Sequence, residues 1–352
     1  MTLVSFWFIV VALLWIGFLV LEGFDFGVGM LHGVVGRDEG GRRAAINTIG
    51  PLWDGNEVWL IVAAAAIFAA FPGWYATMFS ALYLALVLLL VALIVRGVSF
   101  EYRGKSDRTR WIRTWDGLMT GGSLVAPFLI GVALGDLLHG LPIDKSQNFT
   151  GSFLDLLPAY SLFVGLTLVL ICVLHGATFL ALKTTGDIRD RAHMLARRVA
   201  PITALAVLGF VIWTQNTSDR GVLPNIAAVV AIIAAIAAMW LTYDRQEGWA
   251  FAATTVTMAA SIGSLFIDLY PKVIVSTTNS AYNLTAQNTA AGSYALKVMT
   301  VVAAVLVPVV IAYQAWTYHV FRRRVSSSDF VIRVPESRAA PSGGAPAAGG
   351  GG

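Results

Sequence analysis

The chain is short of charge. Only 12% of its 352 residues are Asp, Glu, Lys or Arg, where a soluble domain carries about 25%. Apolar residues make up 57% and the mean hydropathy is +0.73. That balance excludes a soluble globular domain and implies a polytopic membrane protein. Cysteine is almost absent. The single Cys172 sits in an apolar run, which excludes a disulfide framework and any cysteine-ligated metal or iron–sulfur centre. Histidine is scarce as well. Of the five, His139 and His193 fall in loops, His32 and His319 lie at helix ends, and only His175 is well inside an apolar run. A membrane haem needs axial ligands on facing helices. With no partner evident for His175, the chain is expected to bind no haem of its own. The net charge of +4 is not gathered into a nucleic-acid patch, and its distribution is a topology signal.

A membrane span takes about 20 predominantly apolar residues. Nine such runs are present, at about 4–34, 52–71, 75–98, 114–135, 158–182, 199–216, 222–243, 249–270 and 293–321. The fold expected is all-α, a nine-helix transmembrane domain over 1–325. The Ser-, Pro-, Ala- and Gly-rich stretch 326–352 cannot bury a core and is expected to be a disordered cytoplasmic tail. The first run has no basic segment before it and outlasts a signal-peptide core, so it reads as a retained helix. With the N-terminus outside, the inner segments hold twenty of the twenty-four Lys and Arg residues. The outer segments hold only Lys145, Arg220, Lys272 and Lys297. The positive-inside rule therefore favours N-out, C-in. The outer loops near 136–157 and 271–292 are polar. Trp53, Trp74, Trp111, Trp115, Trp213, Trp249 and Trp316 fall near helix ends, as in an interfacial belt.

Within this apolar background stand Glu22 and Asp25 in the first run, and Asp54 and Glu57 in the second. A carboxylate inside the bilayer costs roughly 2.5–3.5 kcal/mol even on insertion scales, so it marks a functional site by default. Glu22 and Asp25 are three apart and share a helix face, as do Asp54 and Glu57. A short charged turn makes the two helices antiparallel neighbours, so the four carboxyls reach the same inner level with Asn56 beside them. Asp116 enters the fourth helix and Glu101 leaves the third at that level. Carboxyls held together there can take up and pass on protons. The alternative is that each acid pairs with an arginine (Arg96, Arg103 or Arg113) or caps a helix start. Gly23 and Gly27, Gly29 and Gly33, and Gly131 and Gly135 form small-xxx-small pairs, which let helices approach closely within the chain or against a partner.

Several stretches resemble subunit II of the cytochrome bd-type quinol oxidases. They are Glu22-Gly23-Phe24-Asp25-Phe26-Gly27-Val28-Gly29-Met30-Leu31 and Trp53-Asp54-Gly55-Asn56-Glu57-Val58-Trp59-Leu60, then Arg96 through Arg103, Trp111 through Asp116, and Pro127 through Ala133. Val298-Met299-Thr300, Val307-Pro308 and Tyr313-Gln314-Ala315-Trp316 follow in order. The likeness spans about residues 5–325 and leaves out the tail. It implies a bacterial inner-membrane terminal oxidase that oxidises quinol and reduces oxygen to water. In that family subunit I carries haem b and haem d. Subunit II binds no haem, completes the complex and contributes to a proton path from the cytoplasm. Some members hold a structural quinone. The acid of the Trp-Asp-Gly-Asn stretch, here Asp54, is the family residue tied to the proton path. For this chain the resemblance implies subunit I, quinol and lipid as partners, with small single-helix accessory subunits also compatible. The expected proton-path residues are Asp54 and Glu57 at the mouth, Asp25 and Glu22 deeper, and Asp116 in support. No catalytic or metal residue is expected in the chain itself. For a quinone, Trp53 is the one residue to examine.

Two other classes remain open from the residues alone. One is a stand-alone ion-coupled transporter using the same acids, but no paired broken segments of the kind transporters show are evident. The other is a haem-carrying anchor, which needs paired membrane histidines.

Overall fold

The computed structural model describes residues 2–218 and 224–330. Twelve helices follow one another: α1 Leu3–Val35, α2 Glu39–Asn47, α3 Trp53–Ala70, α4 Pro72–Ala81, α5 Tyr83–Tyr102, α6 Thr109–His139, α7 Ala159–Lys183, α8 Gly186–Thr217, α9 Ile226–Tyr243, α10 Glu247–Leu269, α11 Ala286–Thr289 and α12 Ser293–Val320. Among the described residues, nine are long and apolar enough to cross a membrane: α1, α3, α5 to α10, and α12. The protein is thus an all-α polytopic membrane protein. Among the described residues the sheet content is one antiparallel pair, β1 (Lys272–Ile274) with β2 (Leu284–Thr285), in register Lys272↔Thr285.

Helices α1 and α7 form the centre. The apolar window of α7 is 72% buried inside the chain, whereas that of α12 is 6% buried. The central position of α7 rests on backbone contact. A Cβ on Gly27 would stand 2.6 Å from the Gly176 Cα, and one on Gly131 would stand 2.6 Å from the Gly165 Cα. Real Cβ atoms do not come so close, so α1 and α6 pack directly on the α7 backbone only because these positions lack side chains. Gly29 is likewise closed off by Ser123, while Gly23 has the Met258 methyl 2.9 Å from where its Cβ would be. Gly33 has nothing within 4 Å. These four glycines of α1 therefore differ. Gly27→Ala is expected to prevent stable folding or cost at least the ~1–3 kcal/mol of overpacking. Gly33→Ala should leave the melting temperature of the purified protein unchanged. Equal melting temperatures for the two variants would contradict the packing role of Gly27.

Element boundaries depart from hydropathy in three places. The turn after α1 contains α2, capped by Asp38, whose Oδ1 accepts from the Gly41 N–H at 2.6 Å. The run 75–98 is not one helix. Pro72 starts α4 at a position where its missing N–H is not needed, and α4 ends before Leu82 (φ −90°, ψ 14°), where α5 begins. Residues on both sides of Leu82 are equally apolar, so composition cannot mark the break. Helix α8 begins at Gly186 rather than near 199. Its charged first turns are helical because they are anchored outside the apolar belt: Arg189 donates to Glu247 at 2.7 Å and Arg191 to the Val35 carbonyl at 2.6 Å.

The two polar loops close one end of the bundle. The Leu141 N–H donates to the Val275 carbonyl at 2.9 Å, and the Thr77 hydroxyl to the Gln147 carbonyl at 2.9 Å. At the opposite end, the segment after α12 is tied back to α7 by the Val325 N–H, which donates to the Lys183 carbonyl at 2.8 Å. Residues Ser327–Phe330 form a 3-10 turn there. The remainder of the expected tail, 331–352, lies outside the described residues. One tryptophan departs from the belt: Trp74 is fully buried, between Phe8 and Phe71.

Candidate functional site

Four helices bring one buried polar group together. Helix α1 supplies Glu22 and Asp25, both with no exposure, and α3 supplies Asn56, also buried, and the half-buried Glu57. Helix α5 supplies Arg96, again fully buried, and α12 supplies Gln314 and Tyr318. The α2 turn returns the chain so that the first turn of α3 packs beside the second half of α1. This places the two i,i+3 acid pairs at one level, as the spacing predicts.

Arg96 is the hub. Its Nη1 lies 2.6 Å from Glu22 Oε1 and 3.4 Å from Glu57 Oε2. The guanidinium carbon lies 4.9 Å from the Phe26 ring centre, 5.4 Å from Phe100 and 6.0 Å from Trp53. Aromatic faces on a desolvated cation add about 2 kcal/mol or more. Asn56 is the second hub. Its Nδ2 donates to Asp25 Oδ2 at 2.7 Å and to the Leu21 carbonyl at 3.2 Å. Its Oδ1 accepts from Gln314 Nε2 at 2.7 Å and from the Tyr318 hydroxyl at 3.0 Å. The amide is thus saturated, which locks the start of α3 against α1 and α12. The carboxyls are not saturated. Glu22 Oε2 and Asp25 Oδ1 are buried with no hydrogen-bond partner, and so are Nε and Nη2 of Arg96. Glu22 and Glu57 therefore share one guanidinium in a poorly solvated place, with Asp25 beside them held by Asn56 and acceptor capacity left over.

Asp54 stands apart from this network. It is exposed in the first turn of α3, one turn from Glu57. A carboxylate there complements the helix N-terminus. Trp53 stacks on Phe100 with ring centres 4.7 Å apart and planes 10° apart. Its ring is thereby a wall of the Arg96 site, and no quinone contact is assigned to it.

Asp116 is not brought into the cluster. It belongs to a separate knot joining α1, α2, α6 and the turn after α5. Arg103 Nε donates to Asp116 Oδ1 at 2.6 Å, while the Nη atoms of Arg103 grip both oxygens of Glu39 at 2.8 and 2.9 Å. His32 Nε2 lies 3.2 Å from Asp116 Oδ1, and Arg43 donates to Glu39 at 2.7 Å. Pairing with arginine is the plainer of the two readings open for this acid in the sequence. Burial alone would push the Glu39 carboxyl up, but its hydrogen bonds from Arg103 and Arg43 outweigh that and hold it below the usual carboxylate range. A depressed folded-state value means that the contribution to stability is present above the ordinary glutamate pKa. It is lost as pH falls through the folded value. Thermal unfolding from neutral pH to below pH 4 should therefore show a stability loss that Glu39→Gln removes. The side chain is 39% exposed, so the effect should stay under about 1 kcal/mol.

Sequence spacing alone did not select Arg96 from the available arginines, and it did not find Glu39, Gln314 or Tyr318. Only the motif Tyr313-Gln314-Ala315-Trp316 held a signal for Gln314. Among the described residues no group of three or more His, Cys, Asp or Glu is placed to hold a metal ion.

Residues 3–321 match the family described as cytochrome bd terminal oxidase subunit II. The chain belongs to that family. It is 44% identical over 327 residues to the cytochrome bd ubiquinol oxidase subunit 2 of Bacillus subtilis, covering 92% of this chain and 97% of the relative. To the cytochrome bd-I ubiquinol oxidase subunit 2 of Escherichia coli K12 it is 35% identical, covering 92% and 95%. The structure of bd oxidase from Geobacillus thermodenitrificans shares the fold, with a TM-score of 0.69 at 20% identity over 91% of this chain and 99% of that one. Family and helices together make this a multi-pass protein of the bacterial inner membrane and a subunit of a terminal oxidase.

Proposed function

We propose that the chain is the haem-free subunit of a quinol:oxygen oxidoreductase. In this reading it stabilises a haem-bearing subunit I, which holds haem b and haem d, and delivers protons to it from the cytoplasm. The N-terminus is outside and the C-terminus inside. Oxygen reduction to water consumes protons, and a buried haem needs a polar route to the cytoplasm. The observation that carries the proposal is the buried Glu22–Asp25–Asn56–Glu57–Arg96 network, with Asp54 exposed one turn away. These residues lie towards the end of the bundle that holds most of the lysine and arginine. Asp54 gathers protons, Glu57 passes them inward, and Asp25 and Glu22 hold them beside Arg96. Asp116 supports the route only by fixing α1, α2 and α6 around it.

The haem-free reading is supported by the state of the membrane histidines. His175 Nδ1 lies 2.7 Å from the Thr254 hydroxyl, and its Nε2 lies 3.2 Å from the Val20 carbonyl. Both nitrogens of His32 are likewise engaged, with the Gly29 carbonyl and Asp116. Quinol oxidation is assigned to the partner subunit, and no step of it to this chain. The transporter reading is not favoured by the family.

The direct test is Asp54→Asn in the assembled oxidase. Among the described residues the exposed side chain makes no hydrogen bond or ion pair that folding needs, so assembly and haem content should match the parent. Oxygen consumption per haem should fall. Normal turnover would remove Asp54 from the route.

A further inference from the structure

A second polar feature has no place in proton delivery. A pocket of about 570 Å³ opens between the start of α8 and the α9–α10 turn. Its charged and aromatic lining is Asp190, His193, Arg197, Arg198, Tyr243 and Arg245. Other arginines at this end of α8 are occupied, Arg189 by Glu247 and Arg191 by the Val35 carbonyl. Among the described residues, neither Arg197 nor Arg198 has a carboxylate within ion-pairing distance. Arg197 lies over the Tyr243 ring at 4.7 Å, and Arg245 has only Asp190, at 3.8 Å with both groups about two-thirds exposed. Three guanidinium groups thus face one carboxylate.

A fourth group points to a ligand independently. His193 is 5% exposed, and its Nε2 is buried without a hydrogen-bond partner. The pocket also lies at the border between the charged end and the apolar belt. One and two turns beyond Arg198 come Ile202 and Leu205, 55% and 69% exposed, and Trp240, about one turn before Tyr243 on α9, is 63% exposed. A ligand held by the arginines therefore has an apolar surface directly beside it.

We propose that this pocket binds the phosphate group of an anionic glycerophospholipid, with the acyl chains lying along Ile202, Leu205 and Trp240. Arg197, Arg198 and Arg245 take the phosphate charge, and His193 Nε2 completes the polar contacts. Basic pockets between membrane helices suit such head groups. A free phosphate would satisfy the arginines but would leave the apolar border unused.

The test uses the purified, delipidated oxidase complex in neutral detergent, titrated with phosphatidylglycerol or phosphatidylcholine and read by native mass spectrometry for the first lipid bound. Phosphatidylglycerol should bind the parent more tightly than phosphatidylcholine. Affinity for it should drop about fivefold per arginine removed, or ~100-fold in Arg197→Gln/Arg198→Gln/Arg245→Gln. Arg322→Gln/Arg323→Gln/Arg324→Gln removes the same charge elsewhere and should keep the tight site. Equal affinity for the two lipids in the parent, or equal loss in both triple variants, would overturn the proposal. So would full displacement of the lipid by an equal concentration of inorganic phosphate, which would assign the pocket to a free anion. Should the first triple variant fail to assemble, Arg198→Gln alone, with its exposed side chain, and the parent's lipid comparison decide the matter.

Discussion

Arg96→Leu is expected to yield little or no assembled oxidase. The substitution leaves Glu22 and Asp25 fully buried, and Glu57 half-buried, with no cation among them. Removing one partner of a buried pair costs about 3–5 kcal/mol, because the charge left behind has neither water nor a counter-ion. Most folded domains have a total stability of about 5–15 kcal/mol, so a loss of this size can decide whether the protein accumulates. Phe26, Phe100 and Trp53 would also lose the cation they enclose. Arg96→Lys should rescue only in part. An ammonium is a compact point charge on a shorter side chain and cannot lie against Phe26, Phe100 and Trp53 as the planar guanidinium does. The double variant Arg96→Leu/Glu22→Leu should be more stable than Arg96→Leu alone, since it removes the stranded acid. Yield and melting temperature of the purified complex measure all three. A parental melting temperature for Arg96→Leu would mean that the pair does not hold α1 to α5.

The second large effect is on turnover rather than stability. Asp25→Asn keeps the shape of the side chain, and its oxygen can still accept the 2.7 Å hydrogen bond from Asn56. Assembly should therefore survive. What disappears is a group able to take and release a proton, in a buried place that holds few such groups. Positioned acid–base groups contribute about 10²–10⁴-fold to the steps they serve, so a fall in oxygen consumption of tenfold or more is expected. Asp116→Asn is the matched control. Its carboxylate serves Arg103 and His32, so the variant should lower stability and leave turnover per assembled complex near the parent's. A larger turnover loss in Asp116→Asn than in Asp25→Asn would reverse the roles assigned to the two networks.

What could be read from the sequence follows from where the physics is local. Nine spans were legible because apolar length alone decides what can cross a bilayer. The nearness of Glu22 to Asp25 was legible because three-residue spacing fixes a shared helix face; the same spacing puts Asp54 one turn from Glu57, but Asp54 stays exposed and outside the network. Contacts between distant helices were not. Gln314 and Tyr318 reach Asn56 from 258 and 262 residues away, and no spacing rule carries that far. The split of the acids into two networks was hidden for a related reason. Asp116 meets His32, nearly three turns further along α1 than Glu22, so Arg103 serves one acid and Arg96 the other, and hydropathy does not fix that difference in depth. Helix α2 was missed because nine residues with Gly40, Gly41 and two arginines read as a turn. The break at Leu82 was missed because apolar residues flank it on both sides.

The central claim is that protons enter through this chain, past Asp54 and Glu57 to Asp25. The most direct measurement is proton uptake by the fully reduced oxidase after mixing with oxygen, followed by a pH indicator in stopped flow. It would compare the parent, Asp54→Asn, Asp25→Asn and Asp116→Asn. Slower uptake in the first two variants, with the parent's rate in Asp116→Asn, is the predicted result. Uptake at the parent's rate in both Asp54→Asn and Asp25→Asn would contradict the account and leave the buried acids a structural role alone.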